Sequence, residues 1–439
     1  PISRAESEGA TRSAESWLSE EPVRLLRDYV RIDTTEARGE EEGARFLQRF
    51  FDCAGIESEI LCPAPERCNV FARLPGRSRQ GALLLLNHID VAPVVTAFWK
   101  EGGPFEGKID RGYLYGRGTY DMKSIGISQA LGMRALKSHG IVPPSDILFL
   151  GEADEEIGQR WGARWLLDHR PELFSGVTQV LNEGGGTELI LREPRFWGIE
   201  TLQAGYAMAE FEAPTEAPLE ALADRWRKLD SPAVEPHPQV TIGFDLLANH
   251  LPPPLTDQLR HLDRVRRNRS ELSTLPDRYG GFLEARASWS PLYPAGPARK
   301  ERRRYVVVST PPGIAPARFL DPIREDARRG GISLVLSFAG EESAASPYPT
   351  AFTELLRRAT EAHYPGIPIG PVPTFGGYTT SALFRRRGFP TYGYSAILMN
   401  ITDSARRHGN NERIYLPDYV AGVRLYQDIL EEFALKPGS

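Results

Sequence analysis

Residues 151–158, Gly-Glu-Ala-Asp-Glu-Glu-Ile-Gly, place three consecutive acids, Asp154, Glu155 and Glu156, where an apolar run over 147–150 stops and a glycine turn begins. Neighbouring side chains on a strand point to opposite faces, and at a strand end they can be aimed separately. Two adjacent glutamates there can hold different jobs, one binding a cation while the other takes a proton from water. Four more polar clusters keep it company: His88 with Asp90, Asp121, Glu183, and the stretch His408-Gly-Asn-Asn-Glu-Arg413. All but the last fall at the ends of expected strands or in the loops just after them, the edge at which open α/β sheets gather ligands. Together they offer two histidines and three carboxylates for metal, a mixed N/O set suited to zinc and, less selectively, to cobalt or manganese. Two cations sharing one carboxylate would lie about 3.5–4 Å apart, the arrangement of co-catalytic hydrolases. Taken singly, each cluster has a plainer reading: a solvated acidic loop, a core or surface histidine, a helix N-cap at Asp121, a loop marker at Glu183. Their joint occurrence favours chemistry.

The elements that must position these residues read as an α/β layered domain. Apolar residues recur at helical spacing over 21–31 and 40–54 (Val23, Leu26 and Val30; Phe46, Leu47 and Phe50). The runs 82–86 and 147–150 are continuously apolar, as expected of strands covered on both faces in a parallel or mixed sheet, and 177–181 reads as a further strand. A helix is expected over 122–138, ending at Gly140, and another over 162–169. From residue 199 to 346 the chain turns rich in Pro, Arg and Glu, with helical stretches at 219–228 and 255–267 and strands at 305–308 and 333–338. This reads as an inserted second domain of α+β type. The α/β pattern then resumes with helices at 350–363, 381–387 and 419–433 and a strand at 391–395. The expected organisation is a flexible leader over 1–20, a metal-binding catalytic domain over 21–198 and 347–439, and an inserted lid domain over 199–346.

Composition bounds the rest. A chain of 439 residues, 41% hydrophobic and 25% charged, is a soluble globular protein too long for one ordinary core. A net charge of −5 gives no reason to expect nucleic acid, and the short basic runs at 264–269, 299–304 and 385–387 read as solvated faces. No run of about eighteen apolar residues occurs, so no membrane partner is expected. Three cysteines, Cys53, Cys62 and Cys68, match no zinc-knuckle spacing and lean towards a reducing, cytoplasmic compartment. A Cys62–Cys68 disulfide and a clipped signal would instead fit export.

Five stretches, in order, resemble the zinc metallopeptidase family of aminoacylase, acetylornithine deacetylase, succinyl-diaminopimelate desuccinylase and glutamate carboxypeptidase (family M-twenty). They are Leu-Leu-Leu-Leu-Asn-His-Ile-Asp-Val (83–91), Gly-Arg-Gly-Thr-Tyr-Asp-Met-Lys (116–123), Ala-Asp-Glu-Glu-Ile-Gly (153–158), Asn-Glu-Gly-Gly (182–185) and His-Gly-Asn-Asn-Glu-Arg (408–413). The resemblance implies two zinc ions per chain, one held by His88 and Glu183, the other by Glu156 and His408, with Asp121 bridging both. It implies that Asp90 orients His88, that Glu155 is the general base acting on a metal-bridging hydroxide nucleophile, and that the peptide bond after Asp121 is cis. A glutamate at Glu183 tilts the expected reaction towards carboxypeptidases and deacylases, acting on a small molecule or short peptide.

The chain also departs from that family. The insert histidine of its Gly-x-x-x-His-x-Ser-x-Pro motif has no counterpart in 210–219, and Ser309 stands near the place of the arginine that binds the substrate carboxylate. Arg304, His237 and His250 are offered as stand-ins, and Gly376 and Gly377 as further substrate contacts. The alternative to a working hydrolase is a non-catalytic, metal-binding relative that uses its diverged insert to bind a ligand or partner. A homodimer through the insert is the expected assembly, if any.

Overall fold

A computed structural model of the chain describes residues 11–190, 193–295, 299–340, 342, 344–374 and 377–435. It divides into two compact units, Pro1–Ile199 with Tyr348–Ile369 and Phe389–Ser439, and Glu200–Pro347 with Gly370–Gly388.

The chain enters through a short helix α1 (Ala14–Leu18), capped by the Ser13 side chain, which accepts from the Ser16 N–H. Trp17 on this helix is 4% exposed and joins the main core. The expected flexible leader over 1–20 is thus corrected for its second half, because an indole is too apolar to leave in water once the core offers it a place. Helices α2 (Glu21–Val30) and α3 (Glu41–Cys53) follow, with Val23, Leu26, Val30 and Leu47 fully buried at the expected spacing.

Strands β1 (Glu57–Ala64) and β2 (Arg67–Leu74) form an antiparallel hairpin closed by a Cys62–Cys68 disulfide, and Cys53 is free and exposed. Strand β3 (Ser78–His88) runs between β6 (Ser145–Glu152) and β7 (Val177–Asn182), parallel to both, with Leu85 opposite Phe149 on one side and Leu181 on the other. Residues 82–86 are buried on both faces, as their unbroken apolar character requires. Between β3 and β6 lie β4 (Lys108–Asp110), β5 (Tyr113–Tyr115) and α4 (Lys123–Ser138). Helix α4 ends before Gly140, which takes the left-handed φ of +67° expected of a terminating glycine. It also packs closely on β3: a Cβ at Gly126 would sit 2.9 Å from the Asn87 side-chain oxygen. Helix α5 (Ala163–His169), strand β8 (Gly186–Ile190) and strand β9 (Glu193–Gln203) complete this half, and β9 carries the chain across the unit boundary.

The second unit is α+β. Its antiparallel sheet, in the order β11 (Arg286–Trp289), β13 (Arg302–Thr310), β10 (Gly205–Ala213), β14 (Ser333–Ala339), has β12 (Tyr293–Pro294) also paired to β13. Helices α6 (Glu216–Arg225) and α8 (Ala317–Arg329) bury Leu219, Leu222, Leu320 and Ile323 with Phe211, Val306 and Val308 of the sheet. Helix α7 (Pro238–Ala248) and short helices over 255–280 lie between β10 and β11.

After helix α9 (Ala351–His363) come β15 (Ile369–Thr374) and α10 (Ser381–Arg386), most of which belong to the second unit. The sequence pattern had assigned them to the catalytic domain. Their grouping follows from a buried ion pair: Arg385 donates to both oxygens of Glu200, each at 2.7 Å. A bidentate pair this deep is costly to separate, since either partner alone would be an uncompensated charge. The chain closes in the first unit with β16 (Thr391–Gly393) beside β7, β17 (Arg413–Tyr415) beside β5, and α11 (Leu416–Leu435) against α4. The large mixed sheet runs β1-β2-β6-β3-β7-β16-β9, and β17-β5-β4 form a small one. Among the described residues no helix is long and apolar enough to cross a membrane.

Candidate metal centre

His88 is the last residue of β3, Glu155 and Glu156 lie in the turn after β6, and Glu183 follows β7, so three parallel strands deliver ligand-type residues to one edge. Asp121 arrives from the loop between β5 and α4, and His408 from the loop before β17. His88 Nε2 lies 3.1 Å from Asp121 Oδ1 and 3.7 Å from Glu183 Oε1. His408 Nε2 lies 3.0 Å from Asp121 Oδ2 and 3.0 Å from Glu156 Oε2. Asp121 therefore faces one histidine with each oxygen. Ligand atoms of His88, Glu155 and Glu183 lie within 4.8 Å of one another, as do those of His88, Asp121 and Glu156.

Loop contacts fix this geometry. Asp90 accepts the backbone N–H of Glu155 (3.1 Å) and of Glu156 (2.9 Å), one on each carboxylate oxygen. Asp154, at φ +49°, accepts from the Trp161 and Gly162 N–H groups, so the first of the three acids closes the loop that presents the other two. Lys123 Nζ donates to the carbonyls of Tyr29 (3.1 Å) and Ile32 (2.7 Å), tying the start of α4 to the end of α2 just after Asp121. The Asp121–Met122 peptide bond is cis.

Glu412 is a positioning residue that the motif reading quoted without giving it work. Its Oε1 accepts from the N–H of Tyr120 (2.9 Å) and of Asp121 (3.3 Å), and its Oε2 from Arg117 Nη1 (2.6 Å). Both side chains are buried. The sequence signal was present, since Arg117 lies within 116–123 and Glu412 within 408–413, but no spacing rule links positions 295 residues apart.

The donor set fits divalent cations. His88 Nδ1 lies 2.9 Å from the Asp90 carbonyl oxygen, an acceptor only, so Nδ1 carries the proton. In the neutral ring Nε2 is then a lone pair aimed at carboxylate oxygens, an arrangement held together only by a proton or a cation. Burial opposes charge on His88, yet its hydrogen bonds to Asp121 and Asp90, with Glu183 nearby, raise its pKa well above the usual imidazole value. Hydrogen bonds to Asp121 and Glu156 push His408 up to about 11. Burial, then the Asp121 charge, pushes Glu183 up to about 8, and burial also raises Glu156. For Glu155, burial and the charges of Glu183 and Glu156 outweigh the pull of His88, and its pKa lies well above the usual carboxylate range. Asp121 goes the other way: burial works against its charge, but His408 and His88 hold it well below. The cluster thus binds protons strongly where dications would otherwise balance its carboxylates. Among the described residues Glu155 Oε1 and Glu156 Oε1 are buried without a hydrogen-bond partner, which leaves them open to a cation or a water.

The substrate contacts offered from sequence belong to the second unit. Arg304 on β13 donates from Nε to the Ser290 carbonyl (2.7 Å), with its guanidinium 5.9 Å from the Trp289 ring centroid. His237 caps α7, accepting from the Gln239 N–H (3.3 Å). Both are engaged locally, and the structure does not bring them together. Gly377 lies in the loop between β15 and α10, and Gly376 lies outside the described residues.

Carboxylates and imidazoles that converge on shared oxygens at a sheet edge serve to activate water with divalent cations, and the protein is a metallo-amidohydrolase. The family description Peptidase family M20/M25/M40 matches residues 84–432, and the chain belongs to that family. Mouse aminoacylase-1 is 26% identical over 432 residues, covering 95% of this chain and 97% of that protein. A probable succinyl-diaminopimelate desuccinylase from Staphylococcus aureus is 34% identical over 153 residues, 35% of this chain and 37% of that protein. The fold is shared with an M20 family metallo-carboxypeptidase from Sulfolobus solfataricus, at TM-score 0.72 and 15% identity over 95% of this chain and 100% of that one. It is also shared with human carnosine dipeptidase 1, at TM-score 0.66 and 16% identity over 95% and 98%.

Proposed function

We propose that this protein is a dizinc hydrolase of the amide bond in a peptide or N-acyl amino acid, of carboxypeptidase or deacylase type. The observation that carries the reading is the cluster in which Asp121 is shared between two histidines while the buried Glu155 Oε1 has no hydrogen-bond partner among the described residues. The similarity to mouse aminoacylase-1 along nearly the whole chain supports an acylated amino acid as substrate.

In this reading His88 and Glu183 hold one cation, Glu156 and His408 the other, and Asp121 both. The mixed nitrogen and oxygen donors favour zinc, with cobalt or manganese as substitutes. Bound there, the cations would polarise the scissile carbonyl and lower the pKa of an attacking water. Glu155 takes the proton from that water and delivers it to the departing amine nitrogen. Its Oε1, without a hydrogen-bond partner among the described residues, is open to hold that proton between the two transfers. Asp90 keeps Glu155 and His88 in register from behind.

The test is Glu155→Gln, with turnover read by mass on a mixed library of N-acyl amino acids and dipeptides, and metal read per chain by elemental mass spectrometry. We expect unchanged metal and a loss of about 10²–10⁴-fold in turnover, whereas His88→Ala and His408→Ala lower bound metal. Turnover near the parent level would refute the base assignment. Two metals per chain with no cleavage by the parent would favour the non-catalytic alternative.

For assembly, the reading is a homodimer through β14. This edge strand exposes Leu334, Val335 and Leu336 at 45%, 40% and 49%. Its sequence from 333 to 337, Ser-Leu-Val-Leu-Ser, reads the same in both directions, so a two-fold antiparallel contact sets like against like. On compartment, the Cys62–Cys68 disulfide supports the exported form, since such bonds persist in oxidising surroundings.

A further inference from the structure

We propose that Arg407 is the anion-recognition residue of this site, its guanidinium taking the free carboxylate of the acyl amino acid or peptide. The inference rests on the amidohydrolase reading and adds to it the substrate's charged group. Arg407 immediately precedes His408 in a turn where its own N–H donates to the Ser404 carbonyl at 3.1 Å. His408 reaches Asp121 from one side, and the Arg407 guanidinium lies 6.0 Å from the ring centroid of Tyr120, the residue before Asp121. Arg407 therefore lies near the ring of the residue that precedes the shared carboxylate, while His408 reaches the carboxylate itself.

The other arginines nearby are committed. Arg117 is paired with Glu412, Arg413 with Asp403 at 2.8 Å, and Arg406 donates to the Asn411 carbonyl at 3.3 Å. Among the described residues no carboxylate is hydrogen-bonded to Arg407, whose side chain is exposed. It does lie within the electrostatic field of Asp121, Glu183 and Glu156. Two divalent cations would cancel the charge of the four carboxylates lining the cluster, Asp121, Glu155, Glu156 and Glu183. Arg407 would then be released from their pull, with a full set of planar donors free beside the reacting centre. A carboxylate is the group that fits that fork, bidentate and charge-assisted. The cations offered from the insert, Arg304 and His237, are already engaged within it.

The test measures binding rather than turnover. Metal-loaded Glu155→Gln protein is titrated calorimetrically with a panel of N-acetyl amino acids and with their carboxamides, in parallel with the Glu155→Gln/Arg407→Met and Glu155→Gln/Arg407→Lys double variants. The expected result is a preference for carboxylate over carboxamide of about 10- to 100-fold, the range of hydrogen bonds to a charged group. That preference should vanish in Arg407→Met and return in part in Arg407→Lys, with metal per chain unchanged throughout. No carboxylate preference in the presence of Arg407, or the same preference with and without it, would overturn the inference. Failure of the base assignment would appear separately, as product formed by the Glu155→Gln protein.

Discussion

Glu412 shows how much of a metal centre lies behind its ligands. Each of its oxygens is committed, one to the backbone of the Asp121 loop and one to Arg117. Removing it would strand the Arg117 guanidinium, which is 2% exposed and among the described residues otherwise donates to the Ala92 and Pro93 carbonyls. Glu412→Ala should therefore destabilise the metal-free protein by about 3–5 kcal/mol, as breaking a buried pair does. It should also weaken metal binding about 10–100-fold through the loosened Asp121. Denaturant unfolding and metal titration measure the two effects, and a cost below about 1 kcal/mol would show that Arg117 finds another partner. Arg407 next to His408 makes the complementary point: the role proposed for it depends on its having no carboxylate partner among the described residues.

At the scale of elements, the site works because parallel strands end together. β3, β6 and β7 bring His88, Glu155 with Glu156, and Glu183 to one edge, where the loops are free to aim them. The second unit poses an edge of another kind. β14 pairs with β10 on one side only, and a bulge opposite residues 210 and 211 leaves Val335 without a ladder partner. Bulges blunt edges against indiscriminate pairing, so the proposed homodimer contact would be one of side chains, Leu334, Val335 and Leu336 against their copies. Val335→Asp would set two like charges near the symmetry axis and should convert the dimer to monomer. Sedimentation velocity at tens of micromolar reads this directly, and a monomeric parent would remove the proposal.

For the whole molecule, the charge cluster makes stability depend on pH and metal together. In the metal-free protein Glu183 holds its proton up to about pH 8, against 4.5 when unfolded, and His408 up to about 11, against 6.5. The native state then binds more protons than the unfolded chain, so stability falls as pH rises through each interval. Both intervals overlap between pH 6.5 and 8, and the loss is steepest there. Cations replace those protons, so the stabilisation by added zinc should grow over the same range. Melting temperatures at pH 6 and pH 8.5, with zinc and with a chelator, test this. An increment that shrinks with pH would contradict it.

The cluster residues were legible in the sequence because each sits in a short local motif, and His88, Glu155, Glu156 and Glu183 follow strand-like segments, where residue type carries the information. The strands over 82–86 and 147–150 were legible because burial on both faces leaves no room for a polar residue. β10 was not, although its burial alternates residue by residue, since glutamates on its open face lie in a Pro- and Glu-rich region. Nor was α7, which begins at a proline and carries Gly243 in its interior. What only the tertiary structure decided are relations between distant positions. Glu200 with Arg385 draws 370–388 into the second unit, Arg117 with Glu412 sets the Asp121 loop, and Trp17 turns a polar leader into a core contact. A sequence states which groups are present and how they repeat locally. Which buried charge meets which depends on the whole chain closing, because desolvation leaves each such charge only the partners that the fold happens to bring within reach.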